Sequence, residues 1–453
     1  MDKEQTADKI LSLCEKEGAS QVEIFAVTAK TSSIYIDDSA PKIADTKTEF
    51  GVGLKYVLGK RVGFTSSTLL SETPEDVVRR ASSVARVSSE DPRFVSLPEP
   101  KTPSGRRDRF FDKQTAGADS SQLLDCAMRV VRSAVSENVS VPNGVLRASS
   151  IDFLVRNSLG VKASSVSTMV FGFFTGKSSK EGLVGEGVQR CWSRKLSAVN
   201  FDALGERLQS QAVGSLDADA FKDHWTDIVA VLAPSECSEW LGQLIGMAAS
   251  AENVNNRSSP WTDRLGDSVA HENLTIVDNG LSESGILSSV IDDEGTPTQK
   301  TVLIDRGELK SYFFDSYNGA IGDLASTGNG IRRDPRECLG RFSYPAACGL
   351  TTIEVRPGRQ SLEDIIGETG RGVYIEHLAW PQVDPTSGTF SNEVRSASLI
   401  ENGQITRKIK HALLVGNLYE SLKREISLGS RAEVHDRGVI PCVAFSGLEL
   451  VGQ

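Results

Sequence analysis

The sequence predicts an α+β protein, with a layered N-terminal α+β domain over residues 1–220 and a β-rich C-terminal domain over residues 221–453. Three observations carry this. A helix, a set of strand-like runs and a second helix follow one another at the N-terminus. An apolar run at 226–234 reads as a buried strand near the middle. Two similar hairpins then lie 96 residues apart, each built on Leu-Ile-acid-x-Gly: Leu303, Ile304, Asp305 and Gly307, then Leu399, Ile400, Glu401 and Gly403. At 453 residues the chain exceeds what one core comfortably holds, so more than one domain is expected.

Ala7, Ile10, Leu11 and Cys14 form a helical stripe that Gly18 is placed to end. Strands are expected at 22–30, 32–37, 50–59 and 60–67, the last two joined by a tight turn at Gly59-Lys60. Thr73 as N-cap with Pro74 behind it predicts a helix to Val87. Residues 88–119, with Pro92, Pro98, Pro100 and Pro103, read as a linker or long loop. A helix near Ser121–Val135, alternation from Val145 to Thr175 around a turn at Asn157–Gly160, and a helix near Phe201–Val213 complete the first half. TDIVAVLAP (226–234) reads as a buried strand that delivers the chain into the segment Ser235 to Ala251. Short β-runs dominate from His271, with helices at 361–368 and near 417–424. After the first hairpin turn, Leu309, Tyr312, Phe313 and Phe314 read as the returning strand.

Lys and Arg total 50 against 60 Asp and Glu, a net charge of −10, which opposes a general nucleic-acid-binding surface. No stretch approaches 18 uncharged apolar residues, so no membrane span is expected. MDKEQTADKILSLCEKEG has neither signal nor transit character, and a cytoplasmic location is expected. The seven cysteines are scattered, contain no C-x-x-C, and read as reduced thiols rather than a disulfide or zinc framework.

Few residues carry chemistry. His271-Glu272 opens a zinc-protease pattern, but Thr275 and Ile276 stand where its second histidine is needed, so that match fails. His435 and Cys442 are a weak metal pair with no recognised ligand spacing. Asp292, Asp293 and Glu294, set against Gly295 and Thr296, read as a capped, solvated turn or as a cluster for a metal or a substrate amine. Thr327-Gly328-Asn329-Gly330 with Arg332 and Arg333 only loosely suggests a phosphate cradle, and neither GxxxxGK[ST] nor GxSxG occurs.

Three stretches, APSECSEWLGQLIGMAASAENV (233–254), DDEGTPTQKTVLIDRGELKSYFFDSY (292–317) and VDPTSGTFSNEVRSASLIENGQI (383–405), together resemble the TldD/PmbA family, historically labelled modulator of DNA gyrase and including zinc-dependent proteases. The resemblance covers nearly the whole chain and is strongest from Thr226 to Arg333. In the protease members two histidines of HExxxH bind zinc and the glutamate activates water. The resemblance places that motif on Gly242 to Met247, with Gly242 and Met247 at the histidine positions and Gln243 at the glutamate. Gly has no ligand atom, a neutral amide is no carboxylate base, and a thioether is a poor zinc ligand. The family's third ligand, a cysteine in a Gly-x-Cys turn, also lacks a counterpart, since Cys442 follows Pro441 in a strand-like run. Asp384-Pro385 and Thr389 depart from the family's usual Asn-Pro and Asp around the Gly-x-Phe-Ser turn.

The chain therefore looks like the TldE/PmbA branch. Such a subunit holds no cofactor or metal of its own, and zinc belongs to a TldD-like HExxxH partner. Pairing is expected as a heterodimer with that partner or as a homodimer. The substrate implied by the resemblance is an extended, unfolded peptide, and no direct contact with nucleic acid or membrane is expected. Peptide-cleft candidates are Asp293, Glu294, Gly295, Thr296, Gly388, Phe390 and Ser391. Two alternatives stay open: a self-sufficient metallopeptidase using His377, His411, His435 or Cys442, and a stand-alone peptide-binding regulatory module.

Overall fold

In the computed structural model, which describes residues 2–332 and 338–452, two sheets organise the chain. The first is antiparallel, in the order β3-β2-β1-β4-β5-β6. Its strands are β1 (Gln21–Asp37), β2 (Ala40–Leu58), β3 (Arg61–Ser67), β4 (Val139–Asn157), β5 (Lys162–Lys180) and β6 (Leu183–Ser193). One face carries α1 (Lys3–Lys16) and α2 (Pro74–Val87); further along are α3 (Lys113–Gly117), α4 (Ser120–Ala134) and α5 (Phe201–Gly214).

Local chemistry explains these elements. Thr73 and Asp76 exchange side-chain and backbone hydrogen bonds in a capping box at the start of α2, with Pro74 just inside. Val77, Val78, Ala81 and Ala85 then bury one face of α2 against Val52, Leu54 and Tyr56. The expected strands at 22–30 and 32–37 are one continuous strand. Its partner β2 starts at Ala40, ten residues before the expected position 50, so that its exposed polar first half pairs with Lys30–Asp37.

Of the segment 88–119, the part between α2 and α3 carries no helix or strand element and is pinned at several points. Gln21 receives the Leu97 N–H at 2.7 Å, and the Asn157 amide donates to the Pro98 carbonyl at 2.7 Å. The Ser104 hydroxyl reaches the Thr298 carbonyl at 2.6 Å, tying the loop to the second half.

A 12-stranded sheet begins with β7 (Asp219–Ala220) and β8 (His224–Leu232). The expected buried strand is the core of β8, paired in parallel with Arg371–Ala379 and antiparallel with Gly438–Gly452. α6 (Pro234–Ala248) follows directly and sinks Trp240, Leu241, Leu244 and Ile245 into the largest core. Both predicted hairpin turns form, with positive φ at Arg306 (49°), Gly307 (80°), Asn402 (53°) and Gly403 (77°). The strands around them are unequal. Thr389–Glu401 and Gln404–Lys410 are long, whereas the first hairpin returns only over Glu308–Leu309. Tyr312 and Phe313 leave the ladder because their rings fill the core, and the Tyr312 hydroxyl bonds the Trp261 carbonyl.

Candidate functional site

α6 starts at the mouth of β8, with Pro234 as its first residue, and carries the three positions singled out from the sequence on a regular helix. Gly242 is buried, and a Cβ there would run into the Arg437 side chain. Gln243 uses both ends of its amide. Its Nε2 donates to the Pro381 carbonyl at 3.0 Å, and its Oε1 accepts the Val383 N–H at 3.1 Å. Met247 is half-buried, four residues and a little over one turn beyond Gln243. Together the three offer a missing side chain, an occupied amide and a thioether, a donor set that does not fit zinc.

Gln243 also borders a groove of about 630 Å³ between the two halves of the chain. Phe171, Phe173 and Trp192 line it from the first sheet, and His377, Trp380 and His435 from the second half. His377 Nδ1 lies 3.6 Å from Oε1 of Glu236, a buried carboxylate that also accepts the Leu378 N–H at 3.1 Å. Burial pushes the His435 imidazole below its usual range, and its Nε2 has no hydrogen-bond partner among the described residues. Cys442 does not join it. That thiol sits in a separate cluster with Val231, Ile365 and Ile400. His411 is exposed, with its Nδ1 3.6 Å from Glu393, and is not on the groove wall. Among the described residues no group of three or more His, Cys, Asp or Glu side chains is placed to hold a metal ion.

The acidic turn is the sharpest departure from expectation, because it is interior rather than solvated. Asp292, Asp293 and Glu294 are each only 1% exposed. Asp292 accepts the N–H groups of Glu294, Thr296 and Gly330 at 2.8–3.0 Å, shaping the turn through Gly295, whose φ is +82°. Asp293 takes Arg341 on both oxygens at 2.6 and 2.7 Å and the Arg332 N–H at 2.8 Å. Glu294 accepts the N–H and hydroxyl of Ser316 at 2.8 and 2.7 Å. Burial raises Asp292 well above the usual carboxylate range, and Glu294 to about 7 with Lys55 pulling the other way. Glu294 still borders a smaller pocket of about 280 Å³ with Lys55 and Asp315, but Gly295 and Thr296 are enclosed.

The later candidates separate likewise. Phe390 packs its ring 4.2 Å from Trp240 in the core, and Gly388 turns at φ +78° beneath Tyr419. Ser391 is exposed, and none of the three lines the groove. Asn329 and Arg332 are interior, with Asn329 bonded to Asp278 at 2.6 Å, so they form no phosphate cradle. Arg333 lies outside the described residues. Sequence reasoning missed Trp380, Trp192 and Arg437, and only their place in the fold gives them meaning.

The family model for the PmbA/TldA metallopeptidase C-terminal domain matches residues 226–452, and that for PmbA/TldA metallopeptidase domain 1 matches residues 22–85. The chain belongs to the TldD/PmbA family. An uncharacterized protein of Methanocaldococcus jannaschii is 27% identical over 97% of this chain and 98% of its own. A metalloprotease TldD homolog of Buchnera aphidicola (Schizaphis graminum) is 25% identical over 90% of this chain and 84% of its own. The crystal structure of TldE from Thermococcus kodakarensis superposes with a TM-score of 0.88 at 22% identity, covering 99% of this chain and all (100%) of that one, a likeness of fold.

Proposed function

We propose that this chain is a non-catalytic, TldE/PmbA-like subunit of a cytoplasmic zinc protease that acts on unfolded peptides, with a TldD-like HExxxH homologue as its catalytic partner. One observation carries the reading. At the position of the catalytic glutamate stands Gln243, a neutral amide that cannot take a proton from water, and its two amide atoms are engaged by the Pro381 and Val383 backbone. Gly242 and Met247 on either side supply no good zinc ligand. The histidines of the self-sufficient alternative do not converge, since His411 and Cys442 lie apart from His377 and His435. No helix among the described residues is long and apolar enough to cross a membrane.

The test is reconstitution with an HExxxH homologue from the same genome. The chain alone should neither hold stoichiometric zinc nor cleave unfolded peptide, and the mixture should show chelator-sensitive cleavage above that of the homologue alone. A mixture no more active than the homologue overturns the subunit reading.

A further inference from the structure

The groove beside Gln243 runs along an exposed strand edge. β6 ends the first sheet and is paired on one side only, with β5. The β5–β6 hairpin turns at Glu181 and Gly182, with φ of 51° and 83°, between the flanking pair Lys180 and Leu183. In such a two-residue hairpin the flanking pair is hydrogen-bonded and every second residue points its backbone groups outward. The outward set is Val184 near the turn, then Glu186, Val188, Arg190 and Trp192, of which the last four run toward the groove.

α5 covers Glu186 and Val188. The Glu186 N–H donates to Ser215 Oγ at 2.6 Å, and the Val188 N–H donates to Gln211 Oε1 at 2.9 Å. The outward backbone groups of Arg190 and Trp192 take part in no hydrogen bond among the described residues, and both residues line the groove. Phe171 and Trp192 stack beside them with ring centroids 4.5 Å apart.

The opposite wall is held under strain. Trp380 adopts φ +52° just before Pro381 and leaves its side chain 86% exposed at the groove. A bulky residue pays for a left-handed backbone, and a residue before proline prefers extended conformations. Two amides hold the chain just after Trp380: Gln243 bonds the Pro381 carbonyl and the Val383 N–H, which needs one donor and one acceptor, and Asn392 bonds the N–H and carbonyl of Gln382. A glutamate at 243 would supply only acceptors. A glutamine at 243 can therefore help hold the segment that presents Trp380, where a glutamate would meet the Pro381 carbonyl without a donor.

We propose that this groove binds an extended peptide as an added strand on β6, bonded to the Arg190 and Trp192 backbone, with a large apolar side chain seated against Trp380. The open edge offers alternating donors and acceptors, which a peptide main chain matches. Both signs of charge line the groove, Glu186 and Glu239 against Arg190 and Arg395, so it has no polyanion-binding character. This rests on the peptide-handling part of the proposed function and locates it on this subunit.

The test uses the full chain and a fluorescein-labelled, unstructured Gly/Ser decapeptide with one central Phe, read by anisotropy. Saturable binding is expected. N-methylation of alternate peptide nitrogens and replacement of Phe by Ala should each weaken it at least tenfold. Arg190→Pro removes an outward N–H that is not part of the β5 ladder and should weaken it similarly. Trp380→Gly relieves the strained φ, so it should melt no lower than wild type and still lose tenfold in affinity. Equal binding of the N-methylated peptide, or wild-type affinity in Trp380→Gly, overturns the proposal. So does an absence of peptide binding by a wild-type chain that still stimulates its HExxxH partner, and that outcome leaves the subunit reading standing.

Discussion

Arg332 Nη2 donates to Glu23 Oε1 at 2.6 Å across 309 positions of sequence, with both side chains fully buried. Glu23 stands on β1 of the first sheet, while the Arg332 N–H is held by Asp293 and its Nη1 by the Tyr344 carbonyl at 2.6 Å. The guanidinium also lies 4.7 Å from the Phe25 ring centroid. One residue therefore joins the first sheet, through its side chain, to the acidic turn, through its backbone.

Breaking this pair from one side should be costly, because it strands a buried charge. Arg332→Met or Glu23→Leu alone should destabilise the chain by about 3–5 kcal/mol. The double substitution should cost clearly less than the sum of the two. Urea denaturation of the four proteins checks this, and additive losses would show that the two charges do not act as a pair.

The Glu294 carboxyl, raised by burial from its ordinary 4.5 to about 7, makes stability depend on pH. The sign follows from proton binding. Between pH 4.5 and about 7 the folded state holds a proton that the unfolded chain releases. Its contribution is therefore complete below pH 4.5 and fades as pH rises through about 7. Lys55, Asp315, Glu23 and Ser316 face it, and Asp292 and Asp315 are raised in the same direction. Melting temperature should fall across this window in wild type, and less steeply in Glu294→Gln. Parallel curves for the two proteins would remove Glu294 as a source of the dependence.

How much of this was legible depends on the range of the interactions. α2 could be read to the residue because Thr73, Pro74 and Asp76 act within one turn. Asp292 and Gly295 were readable as a turn for the same reason. Burial of that turn was not, because the partners Ser316, Arg332 and Arg341 lie 22, 39 and 48 residues away. The first half of β2 escaped because its side chains are exposed and its register comes only from β1. β6 escaped because Leu183–Ser193 is rich in glycine and polar residues and lacks a clear apolar alternation. At the groove, residue types alone give Gly242 no ligand atom and Gln243 no carboxylate, and their match to HExxxH comes from the family resemblance. The grip of Gln243 on Pro381 and Val383 was not legible, because it spans about 140 residues.

Gly307 and Gly403 are matched turn positions with φ of 80° and 77°, and both press on neighbouring backbone. A Cβ would meet the Ala270 carbonyl at the first and the Gly367 carbonyl at the second. Valine at either position should destabilise by at least about 1–3 kcal/mol from the backbone conformation alone. Thermal melts check it, and unchanged melting temperatures in both variants would show that the turns tolerate a β-branched residue.

Restoring the protease residues to α6 should not make this chain a protease. Gly242→His must displace the Arg437 side chain, whose Nε lies 3.6 Å from Glu239. Gln243→Glu removes the donor to Pro381 and sets a carboxylate oxygen against that carbonyl, a loss of about 1–3 kcal/mol. Histidines five apart on a regular helix stand about 140° apart, so with Met247→His they share one metal only if α6 departs from helical geometry. Cys442 is packed among Val231, Ile365 and Ile400 and is not on the groove that His435 lines, so no prepared third ligand waits there. The triple variant should melt below wild type, carry substoichiometric zinc by elemental analysis and cleave no unfolded peptide. About one tightly held zinc per chain with chelator-sensitive cleavage would mean that α6 bends to bring the two histidines together, and His435 would then be the first residue to test as the completing ligand.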